Sequence, residues 1–352
     1  MKKLAGAIAV SVLPAIFWSL VSVSAVVAQS EPYYKGKTLK VVVGTTAGSL
    51  YDLWARTVAA HLVKQIPGNP DSLVQNMPGA GHKVATNYMY NIAKPDGLTI
   101  IGSILPGVYM DQLVGRPEVK YDWAKFVWIG SPVKSESQMT MRADTPYKSF
   151  DDMRNAKEPI RCGSTGTSGT DYMVSRLLEE IMPPLKIQSV LGYPGGPELD
   201  LAIERGEIVC RTFTIETFFA REPYISWKRN GFVFNPYQTG RKRDPRLADV
   251  PTLYELMDRY KTPDSGRRLA TVILANGTLG RPIFTSPGTP ADRVAILREA
   301  YEKMLRDSAF LDDIKKKKFE LDPISGAELD VLVKEVMSQP APIIERLKKL
   351  LG

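Results

Sequence analysis

The chain has 352 residues, 44% hydrophobic and 24% charged, which is enough apolar material for a substantial core in two packed lobes and excludes a disordered chain. The formal charge of +8 favours anionic partners, but acids are interleaved with the bases, which argues against nucleic acid. Two cysteines exclude a four-cysteine zinc site, and neither a cofactor nor a metal site is expected.

Lys2 and Lys3 precede an apolar run from Leu4 to about Val27, and Val26, Val27 and Ala28 form the small-residue pattern that signal peptidase accepts. Residues 1–28 are therefore expected to be a signal peptide cleaved after Ala28, which places the mature chain in the periplasm. An uncleaved membrane anchor is the competing reading, since the run approaches the length of a bilayer span. No cysteine lies near Ala28, which excludes a lipid anchor there, and no later apolar stretch is long enough to cross a membrane.

The run Leu39 to Val43 reads as a buried parallel strand, and Tyr51 to Ile66 as a helix with Trp54, Val58 and Leu62 on one side. Leu73 to Met77 is a second strand. The turn Pro78 to Gly81 leads into a helix carrying Ala85, Tyr88, Met89 and Ile92, and Leu98 to Ser103 is a third strand. That is a βαβαβ unit with a parallel sheet.

An extended segment, Val127 to Met141, then leaves the first lobe. The same grammar follows in Ile160 to Ile181 (strand, loop, helix), Ile187 to Leu191 (strand), Pro197 to Arg205 (helix) and Ile208 to Phe213 (strand). Leu269 to Leu274 and Arg281 to Thr285 read as extended. Thr289 is expected to cap a helix with Pro290 first and Asp292 reaching back. Helices over Phe310 to Lys318 and Ala327 to about Leu350 complete the chain. The fold class is α/β, with residues 31–130 and 277–352 in lobe 1, residues 131–276 in lobe 2, and crossing strands joining them over a cleft.

Cys162 and Cys210 each lie in an apolar strand-like run, and the sequence leaves open a disulfide or two buried thiols. The basic runs Arg241 to Arg243 and Lys315 to Lys318 read as a charged turn and a solvated helix face.

Each lobe opens with a strand, then a loop rich in Gly, Ser and Thr, then a helix. The first loop is Gly44, Thr45, Thr46, Ala47, Gly48, Ser49, Leu50, Tyr51, Asp52; the second runs from Cys162 through Gly163, Ser164, Thr165, Gly166, Thr167, Ser168, Gly169 and Thr170 to Asp171. Glycines let main-chain N–H groups face a ligand, hydroxyls add donors, and each helix start adds the positive end of its dipole. Two such loops facing across a cleft would clamp a small organic anion. Neither loop contains the lysine of a phosphate-binding P-loop, and Gly44 and Gly48 lack the dinucleotide spacing.

No catalytic residue is assigned. His61 and His82 are the only imidazoles: His61 lies within an amphipathic helix, and a hydrolase built on His82 would need Ser and Asp brought beside it. Asp52 reads as a loop-ordering acceptor at its helix start.

These segments resemble the extracytoplasmic receptor family of the tripartite tricarboxylate transporters, the TctC or Bug family. The first loop and the following Ala55, Arg56 resemble that family's glycine-rich turn and Ala-Arg pair. Gln75 to Gly81 resembles its Glu-Asn-Arg-Pro-Gly-Ala-Gly segment, and Pro95 to Thr99 its Pro-Asp-Gly-Tyr-Thr. Tyr193, Gly195 and Gly196, the Gly206 turn, Val250 to Leu253 and Pro287 to Pro290 match later landmarks in order.

The resemblance implies a type II periplasmic-binding-protein fold, a carboxylate held between the lobes, and delivery to two integral-membrane permease subunits by a monomeric, non-enzymatic receptor. A receptor feeding a membrane sensor kinase would share these features. By position, the ligand-binding residues would be Thr45 to Asp52, Ser103, Thr165 to Thr170, Tyr193 and Gly195. Ser49 and Leu50 replace two glycines of the family pattern, Tyr172 a histidine and Val209 an aspartate. Those departures make a larger or partly apolar anion, such as an aromatic carboxylate, an alternative to a citrate-like or four-carbon acid.

Overall fold

The protein is described by a computed structural model, which covers Met1 and residues 31–45, 47–164, 169–193 and 196–351. The expected signal peptide, apart from Met1, lies outside the described residues. No helix among them is long and apolar enough to cross a membrane.

The chain begins β1 (Thr38–Val43), α1 (Leu50–Leu62), β2 (Asp71–Asn76), α2 (Lys83–Asn91), β3 (Thr99–Ser103), α3 (Val108–Leu113) and β4 (Val127–Ser131). It continues with β5 (Ser137–Arg142), α4 (Phe150–Arg154), β6 (Ile160–Gly163), α5 (Thr170–Ile181), β7 (Ile187–Val190), α6 (Gly196–Glu204), β8 (Cys210–Thr214), α7 (Ile215–Ala220), α8 (Tyr224–Arg229), β9 (Val233–Phe234) and α9 (Leu253–Arg259). Last come α10 (Asp264–Leu279), β10 (Ile283–Thr285), α11 (Ala291–Met304), α12 (Ser308–Lys317), β11 (Ile324–Ser325), α13 (Gly326–Met337) and α14 (Ala341–Leu351).

Two mixed sheets result, ordered β11-β4-β10-β3-β1-β2 and β7-β6-β8-β5-β9. In each sheet the first strand is flanked in parallel by the second and third: β1 by β2 and β3, and β6 by β7 and β8. In each, the strand arriving from the other lobe docks antiparallel beside the third, β10 on β3 and β5 on β8. The parallel expectation for the first unit follows from right-handed crossovers, and the chain passes between the sheets at residues 131–137, from β4 to β5, and at 279–283, from α10 to β10.

Three local expectations are overturned. Leu269 to Leu274 lies within α10, not a strand: this helix buries Leu269, Ala270, Val272, Ile273, Leu274 and Ala275, so its apolar run shows no helical stripe. Thr289 does not cap α11. Its hydroxyl donates to the Ser286 carbonyl oxygen, Pro290 occupies the N-cap position, and Asp292 pairs with Arg293. The single helix expected over Ala327 to Leu350 is two, α13 and α14, parted around Pro340, where a missing N–H breaks the ladder. α14 then packs on α5 and α10, and Arg346 pairs with Glu180.

The two cysteines form a disulfide that staples β6 to β8, where Cys162 and Cys210 are register partners. The basic turn is ion-paired, Arg241 to Glu335 and Arg243 to Glu255.

Candidate functional site

A cavity of about 500 Å³ lies between the lobes. From the first lobe it is lined by Leu50 and Tyr51 at the start of α1, Leu105, Arg281 and Lys317 to Phe319; from the second by Thr170 and Met173 of α5, Thr214, and Glu216 and Thr217 of α7. A second cavity of about 380 Å³ continues into the second lobe past Gly169, Thr170, Arg211 and Thr217. Helices α1 and α5 therefore both open onto the same space.

The α1 start is built by its own side chains. Ser49 Oγ caps the helix by accepting from the Asp52 N–H at 3.2 Å. Asp52, 1% exposed, accepts from the Gly48 N–H at 2.8 Å, Arg56 Nε at 2.9 Å and Asn76 Nδ2 at 2.8 Å. Asn76 Nδ2 also donates to the Thr45 carbonyl oxygen. Gly48 needs its φ of +82° to aim that N–H inward. Burial pushes the Asp52 carboxyl up, but the Arg56, Gly48 and Asn76 hydrogen bonds outweigh it and hold the group below the usual carboxylate range. Asp52 thus orders the loop with both oxygens engaged.

Of the other expected binding residues, Leu50, Tyr51 and Thr170 border the main cavity and Gly169 the second. Ala47 is exposed beside them. Ser103, fully buried at the end of β3, has no hydrogen-bond partner for its Oγ among the described residues. Tyr193 packs against the apolar cluster of the second lobe, away from the main cavity lining. Thr46, Thr165, Gly166, Thr167, Ser168 and Gly195 lie outside the described residues. α5 has no side-chain N-cap bond; Asp171 in its first turn accepts from Ser164 Oγ and from the Tyr172 N–H at 2.9 Å.

The charges of the site were not among the expected residues. Arg281, 5% exposed, and Glu216 face each other across the cleft, Nη2 to Oε2 3.9 Å. Arg221, Lys317 and Lys318 add positive charge at the margin. Lys317, expected on a solvated face, donates to Asp313 and to Thr57 Oγ1. In the second cavity Arg211 is 7% exposed, pairs with Asp200 at 2.7 Å and lies over the Phe213 ring. The available signal was a lone cation in an apolar strand context, Gly-Arg-Pro-Ile-Phe and Cys-Arg-Thr-Phe, because a charge buried there must meet a partner.

The histidines assemble no catalytic triad among the described residues. His61 Nε2 contacts Asp313 at 3.1 Å and its ring lies edge-on to Phe310. His82 lies edge-on to Tyr51, its Nδ1 is buried without a hydrogen-bond partner among the described residues, and burial lowers its pKa.

Residues 54–349 match the tripartite tricarboxylate transporter family receptor, TctC. Among solved structures, a ligand-free TctC solute-binding protein from Polaromonas superposes with a TM-score of 0.70 at 19% identity, covering 90% of this chain and 98% of that one. MatC from Rhodopseudomonas palustris with bound malate gives 0.55 at 21% identity (90% and 99% covered), and an R. palustris protein with adipate gives 0.56 at 20% (90% and 97%). No curated protein sequence matches this chain. With its two-lobed α/β fold and the family match over most of its length, the chain belongs to the TctC family of periplasmic solute-binding receptors.

Proposed function

We propose that this protein captures a small organic carboxylate between its lobes outside the cytoplasmic membrane and delivers it, as a monomer, to a membrane permease of two subunits. The observation that carries the reading is the cavity onto which α1 and α5 both open, with Arg281, Lys317, Lys318 and Arg221 outnumbering Glu216 around it. Its volume falls within the range of small-molecule sites.

Energetically, hydrogen bonds to a charged group contribute roughly 1.5–3 kcal/mol each, and a helix start adds up to about 2 kcal/mol. A few such contacts offset the several kcal/mol needed to desolvate a carboxylate. Malate and adipate in proteins of similar fold agree with this guest class. Hinge motion of residues 131–137 and 279–283 would close the lobes. Titration calorimetry against mono-, di- and tricarboxylates tests the reading: at least one binds at micromolar Kd or tighter, whereas none binding to folded protein overturns it.

A further inference from the structure

We propose that Arg281 anchors the guest's carboxylate, that Glu216 is a resident carboxylate which the guest displaces, and that the guest is a monoanion with an apolar body. This rests on the carboxylate reading of the cleft and adds which group holds the charge and what the rest of the guest must be.

Arg281 enters the site from a fixed corner. Gly280 ends α10 at φ +62°, and a Cβ there would overlap the Val133 carbonyl oxygen. The Arg281 main-chain N–H donates to Ser131 Oγ at 2.9 Å, and Nη1 donates to Ser135 Oγ at 3.3 Å. The guanidinium lies 5.5 Å from the Tyr51 ring centroid and 5.8 Å from that of Trp54. These contacts aim the side chain without neutralising it.

The fork is under-used. It carries five N–H donors and suits a bidentate carboxylate, yet Nε has no partner among the described residues and the Glu216 oxygen at 3.9 Å is beyond hydrogen-bond range. Glu216 comes from the other lobe, at the first turn of α7, and accepts no side-chain or main-chain hydrogen bond among those described. Burial raises its pKa and lowers that of Arg281, as expected for two desolvated charges that satisfy each other incompletely. A guest carboxylate has the same charge as Glu216 and is free to reach bonding distance. Of the charges near Glu216, Arg221 favours its ionised form and Glu320 opposes it, while Arg246 is already paired with Asp244 and Glu320.

The rest of the cavity constrains the remainder of the guest. Leu50, Leu105, Met173, Val174, Ile273 and Phe319 line it. The polar part of the lining, Ser135, Ser137, Thr214, Thr217, Thr239 and Asn276, is neutral, so a further carboxylate on the guest would find hydroxyls but no second buried cation, because Lys317 is already engaged and Lys318 and Arg221 are exposed to solvent.

The test is calorimetry on the full mature chain with hexanoate and phenylacetate against malate, adipate and citrate. A monocarboxylate is expected to bind at least tenfold tighter than any di- or triacid, Arg281→Gln to weaken it by about thirtyfold, and Glu216→Gln to tighten it severalfold by removing the competitor. Arg281→Lys, which keeps the charge but not the fork, should fall between wild type and Arg281→Gln. Unchanged affinity in Arg281→Gln, weaker binding in Glu216→Gln, or a preference for citrate would each overturn the inference while leaving the carboxylate reading intact. Should Arg281→Gln fail to fold, the Glu216→Gln result and the ligand ranking still decide. If the wild type binds no carboxylate, the underlying reading fails instead.

Discussion

Asp52 holds the loop at the start of α1 in place through its own hydrogen bonds. Its oxygens are taken by Gly48, Arg56 and Asn76, so its removal should loosen the start of α1. Asp52→Asn is expected to cost roughly 1–3 kcal/mol at pH 7, read from urea midpoints. Because its folded pKa lies below the unfolded value near 4, that contribution is full above about pH 5 and is lost as pH falls through the folded pKa. The stability gap between wild type and Asp52→Asn should therefore close on acidification; a gap constant down to pH 2 would refute the assignment. Gly280 is the backbone counterpart. Gly280→Ala forces a left-handed φ on alanine and a clash with Val133, and should cost on the order of 2 kcal/mol or more; a cost under half a kcal/mol in the same titration would show the corner to be pliable.

At the scale of elements, the disulfide joins neighbouring strands 48 residues apart in sequence. Replacing both cysteines by alanine should lower stability by about 2–4 kcal/mol while leaving ligand affinity within about threefold, since neither cysteine lines either cavity. A loss of binding in a folded variant would mean that the staple positions the site. Most elements were legible because strands and helices alternate with glycine-rich loops, and the period of the apolar residues changes with them. α10 was not: its middle, Leu-Ala-Thr-Val-Ile-Leu-Ala, is buried at every position but Thr271 and shows no polar stripe, and such a run reads equally as a strand. The site was legible in part for the same reason. Leu50, Tyr51 and Thr170 open helices whose preceding loops announce the start by their composition, whereas Glu216 and Arg281 are 65 residues apart and meet only because α7 and the segment between α10 and β10 face each other across the cleft.

For the whole molecule, the chain passes between the two sheets at residues 131–137, from β4 to β5, and at 279–283, from α10 to β10, and the proposed closure of the lobes would turn on these two crossings. Ion pairs such as Arg241–Glu335 and Arg346–Glu180 bridge the flanks, and as exposed pairs each contributes at most about 1 kcal/mol. Saturating ligand is expected to reduce the radius of gyration measured by small-angle X-ray scattering, and an unchanged profile with bound ligand would exclude lobe closure. The most direct measurement is the calorimetric titration of the wild-type protein with carboxylates, run beside Arg281→Gln. Binding of at least one carboxylate at micromolar Kd or tighter, strongly weakened in the variant, is the predicted result; folded wild-type protein that binds none of them would contradict the account.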